Sequence, residues 1–389
     1  MTISIFCNTE RVGELHVWAK GLKESYQFVY NPEWLKRGFA IDPALPFNDN
    51  PTISNHLWGC FDDIIPDRWG RLVQKRNAGG LLSESAYMLG VGDHFRLGAL
   101  RCCVDGAFVS HTSRQTPKTP HLQALHRVCV GLEESKVNPV DLKPFLAPLG
   151  SLGGARPKAC VQKDNVLCMA KFASIKDNKR QVPECEQTML EVARIAKINT
   201  CESTLTQTDM GAVLLVKRFD RANNERIPYM SAMTLLGAIK DCDDDYCTLA
   251  QKLEPQERLE LFRRMVFNGL FGNCDDHLKN HGLLYQNGKW CLSPAFDLVP
   301  NPIDFAKQHH TLAFAPKECL PSLGLFHSIM GEFGVGESQF KMILADMLKA
   351  QESFARIAKK NGVHKDNLVK LRHNYAHATF ERMRKMKLH

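Results

Sequence analysis

The sequence predicts an α+β fold in which a β-rich amino-terminal part precedes a mainly helical carboxy-terminal part. Residues 1 to about 110 alternate short apolar runs of strand length, such as 15–18 and 26–30, with one helical stretch around 58–76. This alternation is typical of a small sheet with a helix beside it. The amino-terminal third of the chain is therefore predicted to be β-rich.

The rest of the chain changes its pattern near residue 236. Residues 150–235 predict strands around one helix. From residue 236 onward the apolar spacing is mainly helical, most clearly at 259–271 and 340–357. A small β-rich lobe followed by a larger helical lobe is thus expected, which makes the predicted fold bilobal.

Four segments follow from these changes. Residues 1–110 form an amino-terminal subdomain, and residues 111–149 form a linker that begins with the polar, proline-containing stretch 112–120. Residues 150–235 form the small lobe and residues 236–389 the large helical lobe. The length of 389 residues agrees with two or three domains, because one hydrophobic core rarely grows so large.

Composition predicts a cytoplasmic protein. With 44% hydrophobic and 24% charged residues, the chain has the balance of an ordinary globular protein. It has no run of eighteen apolar residues and no secretion-type start, so neither a membrane partner nor export is expected. Its 14 cysteines show no Cys-x-x-Cys spacing, which favours reduced, buried thiols.

The residues with the clearest chemistry lie at 273–280 and 294–298. Asp275 and Asn280 are five positions apart, which is the Asp-to-Asn spacing of a protein-kinase catalytic loop, and Asp297 follows after a short gap. Mg²⁺ needs only one or two side-chain oxygens when phosphate oxygens complete its shell. The pattern therefore predicts phosphoryl transfer, with Asp275 facing the acceptor hydroxyl and with Asn280 and Asp297 on the metal.

The alternative for these two segments is an exposed turn followed by a helix cap, since Asn and Asp are common in turns. The residues upstream favour the kinase interpretation. Lys171 ends the apolar run 166–172, and Glu186 begins a helical pattern fifteen positions later. Kinases use such a strand lysine on the α- and β-phosphates and hold it with a helix glutamate. Taken alone, a lysine at the end of a strand is usually a snorkelling surface residue.

A glycine-rich loop at 150–158 precedes the Lys171 strand. Such loops let backbone N–H groups approach phosphate oxygens, and the candidates here are Ser151, Gly153, Gly154 and Lys158. The loop fits neither the Walker A pattern nor Gly-x-Gly-x-x-Gly, so a plain loop is the alternative.

Residues 227–233 lie where a hinge between two lobes is expected. The backbone near Tyr229 and Met230 would there meet the adenine edge of ATP, although both side chains are equally suited to a core. The sequence thus predicts ATP and Mg²⁺ as cofactors.

Four segments together resemble the HipA toxin-kinase family, bacterial serine/threonine kinases of toxin–antitoxin systems: 151–158, 216–221, 273–282 and 293–298. Residues 61–68 and 98–100 resemble the amino-terminal subdomain of that family, so the resemblance covers most of the chain. It implies a protein-kinase-like, HipA-like fold.

The resemblance implies a role for individual residues. Lys171 binds nucleotide phosphates, Asp275 is the catalytic aspartate, and His277 falls on the catalytic-loop histidine. Asn280 and Asp297 coordinate Mg²⁺.

Ser151 falls on the serine that the family phosphorylates in itself. A phosphate there adds about −1.5 to −2 charges where ATP phosphates would sit, which would switch the enzyme off. An ordinary loop serine is the alternative.

Two departures from the family pattern are present. Arg156 and Pro157 stand where many members carry Gln-Glu, and Cys185 rather than Asn precedes Glu186. Proline removes one backbone N–H from the loop, which leaves fewer donors for phosphate. The departures fall on the loop contacts and on the residue next to Glu186.

The partners are implied by the resemblance alone. They are a protein substrate, for which an aminoacyl-tRNA synthetase is a candidate, and a HipB-like helix-turn-helix antitoxin. The expected outcome is growth inhibition. The alternative function is a catalytically inactive pseudokinase that acts as an antitoxin- or repressor-binding module.

The net charge of +8 is concentrated at the carboxy terminus. Residues 356–389 carry ten Lys or Arg against Asp366 and Glu381. Such a tail can attract nucleic-acid phosphates or an acidic partner, or it can be a solvated face. Contact with nucleic acid is therefore expected only indirectly or through this tail.

Overall fold

The computed structural model describes residues 1–109, 116–137, 139–177, 180–222, 225–238, 244–301, 307–373 and 376–386. The chain divides into two compact units. The first contains Met1–Lys176 and Thr206–Gly237, and the second contains Asp177–Leu205 and Ala238–His389. Strands and helices occur in both, so the predicted α+β class is confirmed. Among the described residues, no helix has the length and apolar character needed to cross a bilayer.

The first unit begins with an antiparallel sheet of six strands. Their bounds are β1 Thr2–Cys7, β2 Glu10–Lys20, β3 Lys23–Tyr30, β4 Thr52–Ser54, β5 Leu100–Val104 and β6 Ala107–Phe108. The strand order is β4-β3-β2-β1-β5-β6. Alternate residues of β3, namely Tyr26, Phe28 and Tyr30, are buried, as the period of a half-buried strand requires. They pack in one core with Trp34 and Phe61.

Three helices pack in the core of this sheet: α1 Pro32–Arg37, α2 Gly59–Asp62 and α4 Glu84–Leu89. Helix α3 Arg68–Ala78 lies between α2 and α4 in sequence, but its Trp69 and Val73 belong to a second core. The single helix expected around residues 58–76 is therefore wrong, because α2 and α3 are separate. Pro66 explains the break, since it lacks a backbone N–H and disfavours the helical conformation of Ile65.

The remainder of the first unit combines helices with a second sheet. The helices are α5 Leu122–Glu133, α6 Pro139–Leu142, α7 Leu146–Gly150 and α9 Ala232–Leu236. The strands of this sheet are β7 Lys158–Lys163, β8 Val166–Phe172, β9 Ser203–Thr208 and β10 Gly211–Lys217. Their order in the sheet is β7-β8-β10-β9. Short strands β11 Arg221–Ala222, β12 Glu225–Arg226 and β13 Tyr229–Ser231 follow. Residues 111–115 and 138 of the expected linker lie outside the described residues.

A buried ion cluster joins the amino-terminal sheet to this second sheet within the first unit. The carboxylate of Asp220 accepts hydrogen bonds from Arg218 Nη2 at 2.5 Å, Arg221 Nη1 at 2.6 Å and the backbone N–H of Gly98 at 2.7 Å. Burial alone would raise the pKa of Asp220, but the two guanidinium groups lower it to about 2.

The second unit is mainly helical, as predicted for the carboxy-terminal part. Its helices are α8 Val182–Ile195, α10 Tyr246–Gln251, α11 Pro255–Phe271, α12 Leu323–Ile329, α13 Glu337–Lys360, α14 Lys365–His373 and α15 His377–Lys385. Strands β14 Gly282–Gln286 and β15 Lys289–Leu292 form an antiparallel hairpin. Helix α8 packs against α13, and Lys360 Nζ lies 2.9 Å from Glu191 Oε2.

The sequence boundaries and the compact units differ at α8. The boundaries place this helix in segment 150–235, whereas it belongs to the second unit with α13. The four sequence segments remain predictions.

Candidate functional site

The glycine-rich loop lies in the first unit between α7 and β7. Gly154 has φ +91°, a conformation that side-chain-bearing residues rarely adopt. A Cβ atom built on Gly154 would lie 1.9 Å from Nζ of Lys158. Glycine at 154 therefore allows both the backbone conformation and the placement of the Lys158 ammonium beside it.

The loop rests on the beginning of helix α3. The carboxylate of Asp67 accepts the N–H of Gly154 at 2.8 Å, and the N–H of Trp69 donates to the carbonyl of Gly154 at 3.1 Å. Gln74 Nε2 donates to the carbonyl of Gly150 at 2.9 Å. A Cβ on Gly70 would lie 2.4 Å from Cβ of Pro66, so the close approach here also requires glycine.

Sequence reasoning missed these supporting residues. The segment 61–68 was noticed only for its resemblance to a family, and nothing in its composition pairs it with a loop more than eighty positions away. The contact depends on tertiary packing, which a single sequence does not display.

Ser151 is buried in this conformation. Its residue exposure is 6%, and its hydroxyl donates to the carbonyl of Ala147 at 2.5 Å. A phosphate could not be accommodated at that position without moving the end of α7. The structure thus places Ser151 in the loop as expected, while its phosphorylation stays a prediction.

Lys171 lies on the central strand β8 of the four-stranded sheet. It is paired directly opposite Lys158 of β7, so the two side chains share one face of the sheet. Lys158 is buried and Lys171 is partly buried. Two ammonium groups on adjacent strands, next to a glycine-rich loop, provide positive charge and backbone donors of the kind that bind phosphate.

In the expected hinge segment, the side chains of Tyr229 and Met230 are buried to different extents. Met230 is 1% exposed, so its side chain belongs to the core and only its backbone is available to a nucleotide. Tyr229 is partly buried, against Gly98. The next residue, Ser231, donates its N–H to Asp63 at 2.8 Å, and Thr234 Oγ1 donates to the same carboxylate at 2.9 Å.

Glu186 belongs to the second unit, where it lies on α8 with 2% exposure. A buried carboxylate needs partners, since isolating its charge is costly. Its predicted pairing with Lys171 remains a prediction.

The predicted catalytic loop lies in the second unit, directly after α11. Asp275 is exposed, while its neighbours Cys274 and Asp276 are buried. Asn280 Nδ2 donates to the backbone carbonyl of Asp275 at 3.0 Å. The structure therefore brings Asp275 and Asn280 together and presents the Asp275 carboxylate to solvent.

Asp276 was missed by sequence reasoning, although its carboxylate accepts hydrogen bonds from three side chains. It is 2% exposed, and its Oδ2 accepts from Asn268 Nδ2 at 2.8 Å, from His281 Nε2 at 3.2 Å and from the hydroxyl of Tyr246. Burial alone would raise the pKa of Asp276, but these donors lower it below its usual range. A signal was present in the sequence, because Asp276 and His281 repeat the five-residue spacing one position later.

Asp297 adopts a left-handed conformation, with φ +56°. Non-glycine residues rarely adopt this region, and such outliers cluster at functional sites. The segment around it is tied to the catalytic loop in two places. The N–H of Val299 donates to Asn273 Oδ1 at 3.3 Å, and the N–H of Asn301 donates to the carbonyl of Gly272 at 2.8 Å.

The donor atoms of Asn280 and Asp297 fit Mg²⁺. Among the described residues there is no group of three His, Cys, Asp or Glu side chains that could hold a metal ion. An amide oxygen and a carboxylate are instead the few oxygen ligands that Mg²⁺ needs when phosphate supplies the others.

His277, which lies between Asp275 and Asn280 in the sequence, is partly buried. Its Nδ1 atom is buried and has no hydrogen-bond partner among the residues that the structure describes. A buried polar atom without a partner is uncommon and is found where a ligand or water completes it.

Two family models match most of the chain. The HipA-like C-terminal domain matches residues 150–355, and the HipA N-terminal domain matches residues 3–91. The chain belongs to the HipA family. The resemblance read from the motifs is thereby confirmed.

A solved structure has the same fold. HipA of Shewanella oneidensis MR-1, from a complex of HipA, HipB and operator DNA, aligns over 99% of this chain and 100% of that chain with a TM-score of 0.71. The two sequences are 16% identical, so the likeness concerns the fold. The predicted HipA-like fold is confirmed.

A curated relative matches part of the chain. The protein named "Putative kinase Y4dM", from Sinorhizobium fredii (strain NBRC 101917 / NGR234), is 31% identical over 138 residues. The match covers 30% of this chain and 34% of that protein, so the chain spans about a third of that relative.

Proposed function

We propose that this protein is an ATP-dependent serine/threonine protein kinase of the HipA toxin type. The observation that carries the proposal is the catalytic loop, in which an exposed Asp275 is hydrogen-bonded through its carbonyl to Asn280. Asn273 connects the same loop to the strained segment that contains Asp297. Membership of the HipA family supports the same reaction.

Each group has a role that suits its chemistry. Asp275 accepts the proton of the acceptor hydroxyl and orients its oxygen, for which an exposed carboxylate is required. Asn280 and Asp297 hold Mg²⁺, which neutralises charge on the phosphates when it is bound. His277, two positions after Asp275, has a buried Nδ1 atom that a bound substrate or water would complete.

The first unit binds the nucleotide in this proposal. Lys158 and Lys171 supply two positive charges to the phosphates, and the backbone of Gly153 and Gly154 supplies donors. The backbone of residues 229–230 contacts adenine, since the Met230 side chain is buried.

Regulation and partners extend the proposal. Phosphorylation of Ser151 would add negative charge and require the buried hydroxyl to leave Ala147. The Shewanella complex of HipA, HipB and operator DNA supports a HipB-like antitoxin as partner. The substrate would be a cytoplasmic protein, with an aminoacyl-tRNA synthetase as the first candidate to examine, and its modification would inhibit growth.

The deciding experiment measures phosphate transfer. Purified protein is incubated with Mg²⁺ and γ-labelled ATP, alone and with cell lysate, and labelled sites are mapped by mass spectrometry. We expect Asp275→Asn to abolish labelling and to leave nucleotide binding largely unchanged, because the residue acts on the acceptor. Asp366→Asn, at another exposed aspartate of the second unit, is the matched control and should label normally.

Two outcomes would contradict the proposal. Equal labelling by wild type and Asp275→Asn would remove Asp275 from the reaction. Nucleotide binding without any labelling would favour the alternative, a pseudokinase that binds an antitoxin or repressor.

A further inference from the structure

We propose that Asp276 is a positioning residue, which holds Asp275 and Asn280 in their working arrangement by gathering three interior hydrogen-bond donors onto one carboxylate. The inference rests on the proposed function, because it assigns a role in the same reaction. It concerns a residue that never meets the substrate, since Asp276 is 2% exposed.

Two overlapping pairs of residues in the loop share one spacing. Asp275 and Asn280 are five positions apart, and so are Asp276 and His281, each one position later. Asp275 is exposed and Asn280 partly so, whereas Asp276 and His281 are both buried. The buried pair is joined at 3.1 Å between Asp276 Oδ1 and His281 Nε2, so it closes the same stretch of loop that carries Asp275 and Asn280.

The three hydrogen-bond donors to Asp276 come from different parts of the second unit. Tyr246 comes from α10, Asn268 comes from α11, and His281 follows the loop itself. One carboxylate thus attaches the loop to two helices at once. The backbone adds to this, since the N–H of Leu312 donates to the carbonyl of Asp276 at 3.0 Å.

The hydrogen bonds around Asp276 continue to the segment that contains Asp297. Asn268 Oδ1 accepts from Asn273 Nδ2 at 3.1 Å, and Asn273 Oδ1 accepts the N–H of Val299. A chain of hydrogen bonds therefore runs from Asp276 through two asparagines to the segment of Asp297. The arrangement links all three residues assigned to the reaction to one buried carboxylate.

Alanine and asparagine at position 276 should weaken the hydrogen-bond network to different degrees. Alanine removes the shared acceptor, so the Tyr246 hydroxyl and His281 Nε2 lose it, while Asn268 Nδ2 keeps the Tyr246 oxygen at 3.0 Å. Buried donors that lose their acceptor are costly, and the loop loses its attachment. Asparagine keeps one oxygen in place and puts an NH₂ group beside His281, so it preserves part of the network. A loop residue displaced by roughly 1 Å can lose on the order of a hundredfold in rate.

The test compares Asp276→Ala and Asp276→Asn with Asp346→Ala and Asp346→Asn. Asp346 is also 2% exposed in the second unit, and its carboxylate lies 3.0 Å from Arg263 Nη1 and 3.2 Å from Lys197 Nζ. All four variants remove a buried carboxylate, so all four should lower Tm. Only the two Asp276 variants should lower the kcat of the folded protein.

We expect kcat to fall roughly a hundredfold in Asp276→Ala and about tenfold in Asp276→Asn. The Kd for metal-free ATP should stay within about threefold of wild type, because Asp276 acts on transfer rather than on nucleotide binding. Amide hydrogen exchange over residues 274–282 should accelerate in the Asp276 variants and stay unchanged in the Asp346 variants.

Unchanged kcat in both Asp276 variants, or an equal fall in the Asp346 variants, would overturn the positioning role. If Asp276→Ala does not fold, Asp276→Asn decides the question by the same measurements. If wild type transfers no phosphate, the proposed function fails, and hydrogen exchange alone then decides whether Asp276 orders the loop. Equal exchange in the Asp276 and Asp346 variants would reject the inference in that case.

Discussion

The glycine-rich loop of the first unit and the catalytic loop of the second are held in different ways. The first is held mainly through its backbone, by Asp67, Trp69 and Gln74 of a segment distant in sequence. The second is held by a buried side chain, Asp276, whose donors include His281 of the same loop. A backbone-held loop depends on shape, whereas a loop held by side chains depends on matching donors with acceptors.

This contrast predicts which substitutions each loop tolerates. In the glycine-rich loop, a single methyl group should do more harm than the loss of a charge. In the catalytic loop, a polar replacement of similar shape should preserve the backbone and change only the chemistry.

Gly154→Ala should give the largest effect. An alanine at φ +91° is strained, and its Cβ would displace the ammonium of Lys158, so the loop and the charge beside it both move. We expect kcat/KM for ATP to fall on the order of a hundredfold, a loss that misplacement by about 1 Å can cause. Steady-state kinetics and Tm check this.

The matched control for that prediction is Gly150→Ala. A Cβ at Gly150 would make only ordinary contact, 3.4 Å from Cγ of Gln74. Its kinetics should resemble those of wild type. Equal behaviour of the two variants would show that backbone shape does not limit this loop, which would break the comparison.

Asp297→Asn should have the next largest effect and should act on the metal. Asparagine tolerates the left-handed conformation well, so the backbone at φ +56° is kept while the carboxylate charge is lost. Affinity for nucleotide in the presence of Mg²⁺ should fall by at least the roughly tenfold loss typical of outer metal partners. Affinity for metal-free nucleotide should stay the same.

Titration calorimetry with and without Mg²⁺ measures both affinities. A glycine at 297 gives a sharper comparison, because it also accepts φ > 0 but offers no oxygen ligand. If Asp297→Gly and Asp297→Asn bind Mg²⁺-nucleotide as wild type does, Asp297 is not a metal ligand and its strained conformation needs another explanation.

The sequence predicted the parts of the site that a local motif defines. Asp275, Asn280 and Asp297 were found by spacing, and the structure shows Asn280 bound to the carbonyl of Asp275. The α+β class and the HipA-like fold were also predictable, because apolar periodicity and several motifs agreed with one another. The roles of these site residues remain predictions.

The supporting residues could not be predicted because they act over long sequence separations. Asp67 meets Gly154 only after α3 and the four-stranded sheet have packed within the first unit. Pro66 did carry a local signal for the break between α2 and α3, but the apolar pattern across residues 58–76 concealed it. Asp276 was overlooked because the neighbouring Asp275 already satisfied the motif.

Asp67→Ala should give the smallest effect of the series, because it removes one of several contacts to the loop. The N–H of Gly154 would lose a charged acceptor, and hydrogen bonds to charged groups contribute roughly 1.5–3 kcal/mol. We expect KM for ATP to rise about tenfold with kcat little changed, since the loop would be less ordered before ATP binds.

Asp42→Ala is the matched control for Asp67→Ala, because Asp42 also accepts backbone N–H groups, those of Ala44 at 2.8 Å and Cys60 at 2.9 Å. It should lower Tm and leave KM unchanged. A KM for Asp67→Ala below that of wild type would reverse the interpretation. The carboxylate would then compete with phosphate for the Gly154 N–H, and the glycine-rich loop would be held in a conformation that ATP must displace.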